Sequence, residues 1–161
     1  MAIEWQRLID VRAQHERIAR ERVAQERRAA DESAAQAQAA QQRLAQQVAG
    51  KASHWQAIAR ALDGGTCDVA QLRDAGAWSG ALDRQIAQAD DSVSQVQAVV
   101  AERQGTLEAS RRRLRETAAG TERVRQMQLR DQARHRQLQE ARIEEAAQEA
   151  AAQAWMARRS P

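Results

Sequence analysis

Proline occurs once in this chain, at residue 161, and its absence from every earlier position is the strongest constraint on the fold. Proline fixes φ and lacks the amide proton that a helix interior needs, so nothing up to Ser160 sterically forbids a continuous helix. Alanine, glutamine, arginine and glutamate, which favour helix, dominate most of the sequence. The sequence therefore predicts an all-α protein made of long helices.

A glycine-rich interruption divides the helical pattern in two. Residues 63–80 read DGGTCDVAQLRDAGAWSG and contain four of the seven glycines and the only cysteine. Asp63-Gly64-Gly65 predicts a helix end, because glycine readily adopts the left-handed conformation found there. Asp68 can cap a short helix over residues 69–75, which Gly76 would end. We therefore expect a first long helix over 1–62, a loop over 63–80 containing the short helix, and a second long helix over 80–158.

Apolar residues recur at spacings of three and four in both long helices, which places them on one face of each. In the first helix the predicted stripes run Leu8, Val11, His15, Ile18, and then Val23, Arg27, Ala30, Ala34, Ala37, Gln41, Leu44, Val48, Lys51, Trp55, Ile58, Leu62. In the second helix the predicted stripe runs Leu82, Ile86, Ala89, Val93, Val96, Val100, Arg103, Leu107, Ser110, Leu114, Thr117, Thr121, Val124.

A chain reversal near residue 72 would bring the two stripes together. It would pair Trp55 with Ala89 and Val48 with Val96, so that apolar positions meet. The predicted fold is a long antiparallel two-helix coiled-coil hairpin with a short helix in the connecting loop. A continuous antiparallel dimer of the same helices is the structural alternative.

Composition and motifs argue against an enzyme. The chain has four tryptophans but no phenylalanine or tyrosine, and alanine supplies most of its apolar content, so little bulky side chain is available for a compact core. No phosphate-binding loop, cysteine pair, HExxH motif or nucleophile elbow is present, and His15, His54 and His135 lie far apart. We expect no catalytic residue, no metal site and no cofactor, and we expect Cys67 to be incidental.

The formal net charge of +3 arises mainly in residues 103–136, where ten arginines face four acidic residues. Arg111, Arg112 and Arg113 occupy consecutive helical positions and point in different directions, which favours a solvated face over a phosphate track. A generic coiled-coil scaffold or a DNA-binding rod that uses residues 103–136 is the alternative function. The sequence contains neither an apolar run of about 18 residues nor a secretory signal, so we expect a cytoplasmic protein that does not insert into a membrane.

The C-terminal residues form an amphipathic end beyond the predicted pairing. Trp155 and Met156 stand beside Arg158 and Arg159. An apolar face without a partner in the seam indicates either binding to another protein or fraying of the helix.

Both ends of the chain resemble the FliJ/YscO-type stalk proteins of type III secretion systems. The first segment is Trp5-Gln6-Arg7-Leu8-Ile9-Asp10-Val11-Arg12, followed by His15-Glu16-Arg17 and Ala19-Arg20. The second is Glu144-Glu145, followed by Ala154-Trp155-Met156-Ala157-Arg158-Arg159. This second segment is similar to the YscO-like branch, which belongs to the injectisomes that serve virulence. The lack of tyrosine and phenylalanine departs from flagellar members.

The resemblance implies a cytoplasmic stalk at the base of the secretion apparatus. Such a stalk links the hexameric secretion ATPase to the export gate protein, and in some members it recycles secretion chaperones. On this reading the ATPase end comprises Leu8, Val11, Arg12, Trp155, Arg158 and Arg159. Trp55 and Trp78, near the reversal, would face the gate. Nucleic acid is not an expected partner.

Overall fold

The computed structural model describes residues 4–159, which form two α-helices and no strand. Helix α1 spans Trp5–Asp63 and helix α2 spans Val69–Arg159. The two helices pack against each other, so the predicted all-α class is confirmed. Residues 1–3, at the start of the predicted first helix, lie outside the described residues. Neither helix contains, within the described residues, an apolar stretch that could cross a membrane.

Helix α1 ends in a Schellman motif built on Gly65. The Thr66 amide donates to the Ala61 carbonyl at 2.9 Å, and the Gly65 amide donates to the Leu62 carbonyl at 3.1 Å. Gly65 has a φ of 68°, the left-handed conformation that this motif requires and that glycine adopts at little steric cost. The predicted helix end at Asp63 is therefore confirmed.

Helix α2 begins with a capping box. The Asp68 carboxylate accepts from the Gln71 amide at 2.7 Å, and the Gln71 side chain accepts from the Asp68 amide at 3.0 Å. Helix α2 then continues without a break through Gly76 and Gly80. The expected separate helix over 69–75 is absent because its residues form the first turns of α2. An interior glycine costs only about 1 kcal/mol relative to alanine and removes no backbone hydrogen bond.

The chain divides into two compact units. The turn unit is Glu21–Arg112, and the terminal unit combines the N-terminal segment through Arg20 with the segment from Arg113 onwards.

In the turn unit, α1 and α2 run in opposite directions on either side of residues 64–68. The Trp55 indole donates to the Ser79 hydroxyl at 3.1 Å, and Lys51 forms an ion pair with Asp83. Trp55 therefore pairs with Ser79 and not with Ala89, and the predicted reversal near residue 72 is wrong. The cause is the early start of α2, which places the reversal at residues 64–68.

The buried face of α2 agrees with the predicted stripe, apart from Arg103, which is exposed. The buried or half-buried members in the turn unit are Leu82, Ile86, Ala89, Val93, Val96, Val100, Leu107 and Ser110, preceded by Ala75 and Ser79. Their steps alternate between four and three except where Arg103 is passed over, which is the spacing of a coiled-coil-like helix pair.

The buried face of α1 in the turn unit agrees with only half of the predicted stripe. Every second member is buried or half-buried as expected: Val23, Ala30, Ala37, Leu44, Lys51 and Ile58. The intervening members lie one residue earlier than predicted, at Glu26, Ser33, Ala40, Gln47, His54 and Ala61. Their predicted counterparts Arg27, Ala34, Gln41, Val48, Trp55 and Leu62 are exposed. Helix α1 is thus turned so that several small residues face α2, where they allow the two backbones to approach closely.

In the terminal unit, the Trp5 indole donates to the Asp131 carboxylate at 2.9 Å. Half-buried α1 residues here are Trp5, Ile9, Ala13, Glu16 and Ala19, and they face an α2 stripe of Leu114, Thr117, Thr121, Val124, Gln128 and Asp131. Thr121 is 1% exposed, and its hydroxyl donates to the Thr117 carbonyl at 3.1 Å, so the buried polar group has a partner. The predicted stripe of Leu8, Val11, His15 and Ile18 is exposed, because the contacts with α2 use the adjoining face of α1.

Candidate partner-binding surfaces

Three groups of exposed large apolar side chains are candidates for contact with another protein, and further exposed ones are Val69, Leu72, Trp78, Val99, Met127 and Leu129. The N-terminal stripe comprises Leu8, Val11 and Ile18 on α1, the turn-side stripe comprises Val48, Trp55 and Leu62 on α1, and the C-terminal segment is residues 132–159 of α2. Exposed apolar side chains at helical spacing are a common sign of contact with another protein.

The N-terminal stripe lies beside the seam of the terminal unit. Leu8, Val11 and Ile18 are between 38% and 52% exposed, although their spacing would suit a buried helix face. Arg12 is also exposed, and its Nη1 lies 3.3 Å from the place where a Cβ on Gly120 would stand. The Arg12 guanidinium therefore runs along α2 and leaves the apolar stripe uncovered. A groove of about 290 Å³ adjoins this region and is lined by Trp5, Met127, Arg130, Asp131 and Arg134.

The C-terminal segment is a helix whose every described residue from Gln132 onwards is exposed. It carries four large exposed apolar residues, Leu138, Ile143, Trp155 and Met156. The Arg159 guanidinium carbon lies 4.4 Å from the centroid of the Trp155 ring, a cation–π contact between residues one turn apart. This contact covers part of the indole, and Trp155 remains 58% exposed.

The predicted ATPase-end residues form two clusters. Leu8, Val11 and Arg12 lie on α1 near the level of Gly120, whereas Trp155, Arg158 and Arg159 lie at the end of α2. At 1.5 Å per residue, the helix rises about 36 Å between Asp131, the partner of Trp5, and Trp155. The structure therefore does not bring the two clusters together.

Trp55 and Trp78, the two residues predicted to face an export gate, lie at one level of the turn unit. Trp55 bonds to Ser79, the neighbour of Trp78, and its ring meets His54 edge to face at 5.9 Å. Trp78 is 56% exposed. Successive helical residues are separated by about 100°, so Trp78 is turned away from Ser79 toward the opposite side of the seam. The two indoles thus belong to different sides of this unit.

No group of three or more histidine, cysteine or acidic side chains is placed to hold a metal ion in the described part of the chain. His54 lies 3.4 Å from the Ala75 carbonyl, and His135 lies 3.7 Å from Asp131. Arg111 bonds to Glu108 at 2.6 Å, an ion pair on the helix surface. Two further grooves of about 340 and 370 Å³ in the turn unit are lined by alanine, leucine and polar or charged residues.

No family model matches the sequence, and neither the curated proteins nor the solved structures include a significant match.

Proposed function

We propose that this protein is a stalk component of a type III secretion export apparatus, of the FliJ/YscO type, located in the cytoplasm at the base of the apparatus. In this proposal α1 and α2 form one antiparallel coiled-coil hairpin, and the protein links the hexameric secretion ATPase to the export gate. The opposite helix directions found in the turn unit support the hairpin. The same proposal includes a role of the protein in recycling secretion chaperones.

The observation that carries this proposal is the exposure of Leu8 and Val11. These residues belong to the segment that resembles the family, and their spacing would suit a seam, yet Leu8 is 38% and Val11 48% exposed. Burying the part of each side chain that is still exposed is worth about 0.6 to 1.5 kcal/mol, which contact with another protein can recover. A binding role accounts for an exposed apolar stripe in a segment that also resembles the start of the stalk proteins.

The exposed C-terminal segment supplies a second contact in this proposal. Arg158 and Arg159 carry positive charge to the end of α2, where it would attract an acidic surface of the ATPase and speed association. Because this cluster lies about 36 Å from the level of Trp5, the protein touches the ATPase at two separate places and not at one. Trp55 and Trp78 lie on different sides of the turn unit. In this proposal the export gate therefore contacts one of these two residues and not both.

A binding measurement with the purified secretion ATPase of the same organism tests the proposal. The wild-type chain is expected to bind the hexamer and to change its ATPase rate. Leu8→Ala combined with Val11→Ala is expected to weaken binding roughly tenfold or more, the effect of losing about 1.4 kcal/mol at an interface. Val99→Ser is the matched control because Val99 is also exposed but lies in the turn unit.

The outcome that contradicts the proposal is a wild-type chain that neither binds the ATPase nor alters its rate. The same preparation should be titrated with duplex DNA at several salt concentrations, to test the rival DNA-binding function of residues 103–136. Salt-sensitive DNA binding without ATPase binding would favour that rival. The Arg111–Glu108 ion pair and the rotation of about 100° between consecutive arginines argue against a continuous phosphate track.

A further inference from the structure

The turn-side stripe is part of a second, regular seam on α1. Its three bulky residues alternate with three exposed alanines, and together they form the second seam, which comprises Ala45, Val48, Ala52, Trp55, Ala59 and Leu62. The steps alternate between three and four, the same spacing as the seam that α1 forms with α2. Helix α1 therefore carries two adjacent apolar faces, of which α2 covers one.

The second seam contains no charged residue. The nearest cation of the adjoining buried face, Lys51, already forms an ion pair with Asp83 of α2. A helix that covered the second seam would therefore bury no unpaired charge, which is the condition for a favourable helix interface. The three bulky residues are between 41% and 49% exposed, so substantial apolar area remains to be buried.

The order of residue sizes makes the second seam complementary to itself. When two copies run antiparallel, Ala45 of one meets Leu62 of the other, Val48 meets Ala59, and Ala52 meets Trp55. Every contact then joins a large side chain to a methyl group, so the two helices can interdigitate at even spacing. A parallel pairing would instead place Trp55 against Trp55 and alanine against alanine, which crowds one layer and leaves gaps in the next.

Helix α2 leaves space on the side of the turn unit where the second seam lies. The Trp55–Ser79 and Lys51–Asp83 contacts mark this side. Gly76 and Gly80 lie within one turn of Ser79, and a Cβ at either position would meet nothing within 4 Å. An approaching second copy therefore meets little steric obstruction from α2. The new interface would continue directly from the seam within the chain.

We propose that the second seam is the interface of a symmetric antiparallel homodimer, in which α1 of one copy packs on α1 of the other. Such an interface uses the same surface on both copies and closes on itself. This inference goes beyond the stalk function and does not depend on it, because its test involves no ATPase.

Sedimentation equilibrium of the full chain over a range of concentrations tests the dimer. The expected result is a concentration-dependent rise from 17.9 kDa to twice that mass. Ala52→Glu combined with Ala59→Glu should raise the dissociation constant at least tenfold, because four carboxylates would enter the apolar interface. Ala57→Glu is the matched control, since Ala57 is exposed and lies on the opposite side of α1 from the second seam. Circular dichroism should show equal helix content in all variants, because each substituted alanine is exposed in the single chain.

Cysteine cross-linking tests the register. A mixture of one chain carrying Val48→Cys and another carrying Ala59→Cys, each also carrying Cys67→Ser, should cross-link between the two variants. Cross-links mainly within one variant would overturn the antiparallel register. A chain that stays at 17.9 kDa at every concentration would overturn the dimer, as would a dimer that the Ala52→Glu and Ala59→Glu changes leave intact.

Discussion

At the scale of single residues, the rotation of α1 is the feature that the sequence did not predict. Two stripes that share every second member, and differ by one residue at the others, both have steps of three and four, and the bulkier one contains Val48, Trp55 and Leu62. The structure buries its neighbour, which contains Ala40, His54 and Ala61. The spacing of residues alone cannot show which of two such stripes is buried against α2. The indole of Trp55 reaches Ser79 from beside the seam, and this hydrogen bond is visible only when both helices are in place.

A pair of matched substitutions tests the rotation of α1. Ala40→Glu should lower the free energy of unfolding by about 2 kcal/mol, because Ala40 is 6% exposed and the new carboxylate would lose water without gaining a partner. Ala34→Glu should change it by less than about 0.5 kcal/mol, since Ala34 is exposed. Urea unfolding followed by circular dichroism measures both. Equal effects of the two substitutions would contradict the rotation.

At the scale of the helices, the ends were predictable and the register was not. Asp63-Gly64-Gly65 and Asp68 carry local chemistry that ends one helix and begins another, and both ends formed as that chemistry requires. The α2 stripe was also predictable, because bulky residues such as Leu82, Ile86 and Val93 mark it without competition. The register depends on the residue at which α2 starts. Glycine at position 76 suggested a later start, but packing against α1 outweighs its low helix propensity.

Two glycine substitutions test this account of the turn. Gly65→Ala should lower the free energy of unfolding by about 1 kcal/mol, because alanine disfavours the left-handed conformation. Gly76→Ala should raise it by about 0.5 to 1 kcal/mol, because position 76 is helical and a Cβ there meets nothing within 4 Å. Thermal unfolding of both variants shows whether each substitution raises or lowers the stability of the protein. A Gly76→Ala variant that is less stable than wild type would show that α2 does not pass through this position as a regular helix.

The C-terminal segment should be dispensable for folding. No described residue beyond Asp131 is buried, so removal of residues 132–161 should change the free energy of unfolding by less than about 1 kcal/mol. The truncated chain should lose helical signal in proportion to the residues removed. A loss of several kcal/mol in urea unfolding would mean that the segment packs on the rest of the protein.

At the scale of the whole molecule, the family resemblance was enough to name the candidate binding residues. Their positions relative to one another are visible only in the structure. The sequence predicted Leu8 and Val11 both as seam residues and as partner contacts, and they are exposed. It placed Trp155 with them, yet Trp155 lies about 36 Å along α2 from Asp131, the partner of Trp5. No pattern in the sequence reveals this distance, because it depends on the register that the turn imposes.

The separation of the two clusters predicts additive effects on ATPase binding. Leu8→Ala and Trp155→Ala should each weaken binding, and the double variant should show the sum of the two free-energy changes to within about 0.5 kcal/mol. Two groups this far apart share no contact, so substituting one should not change the effect of substituting the other. A double-mutant cycle by calorimetry measures the coupling. A coupling above about 1 kcal/mol would indicate that the clusters meet in the complex and that the end of α2 folds back.

The short turn at residues 64–68 also determines how the length of this protein can change without loss of its core. Since the turn fixes which residues face each other, a single inserted residue in either helix would displace every pair beyond it. A seven-residue segment removed from both helices at facing positions, such as 36–42 and 92–98, would restore the same alternation of spacings. Engineered versions of this chain can therefore differ in length by whole heptads in matched pairs, so that the helix pair of the turn unit changes in length in steps of about 10 Å.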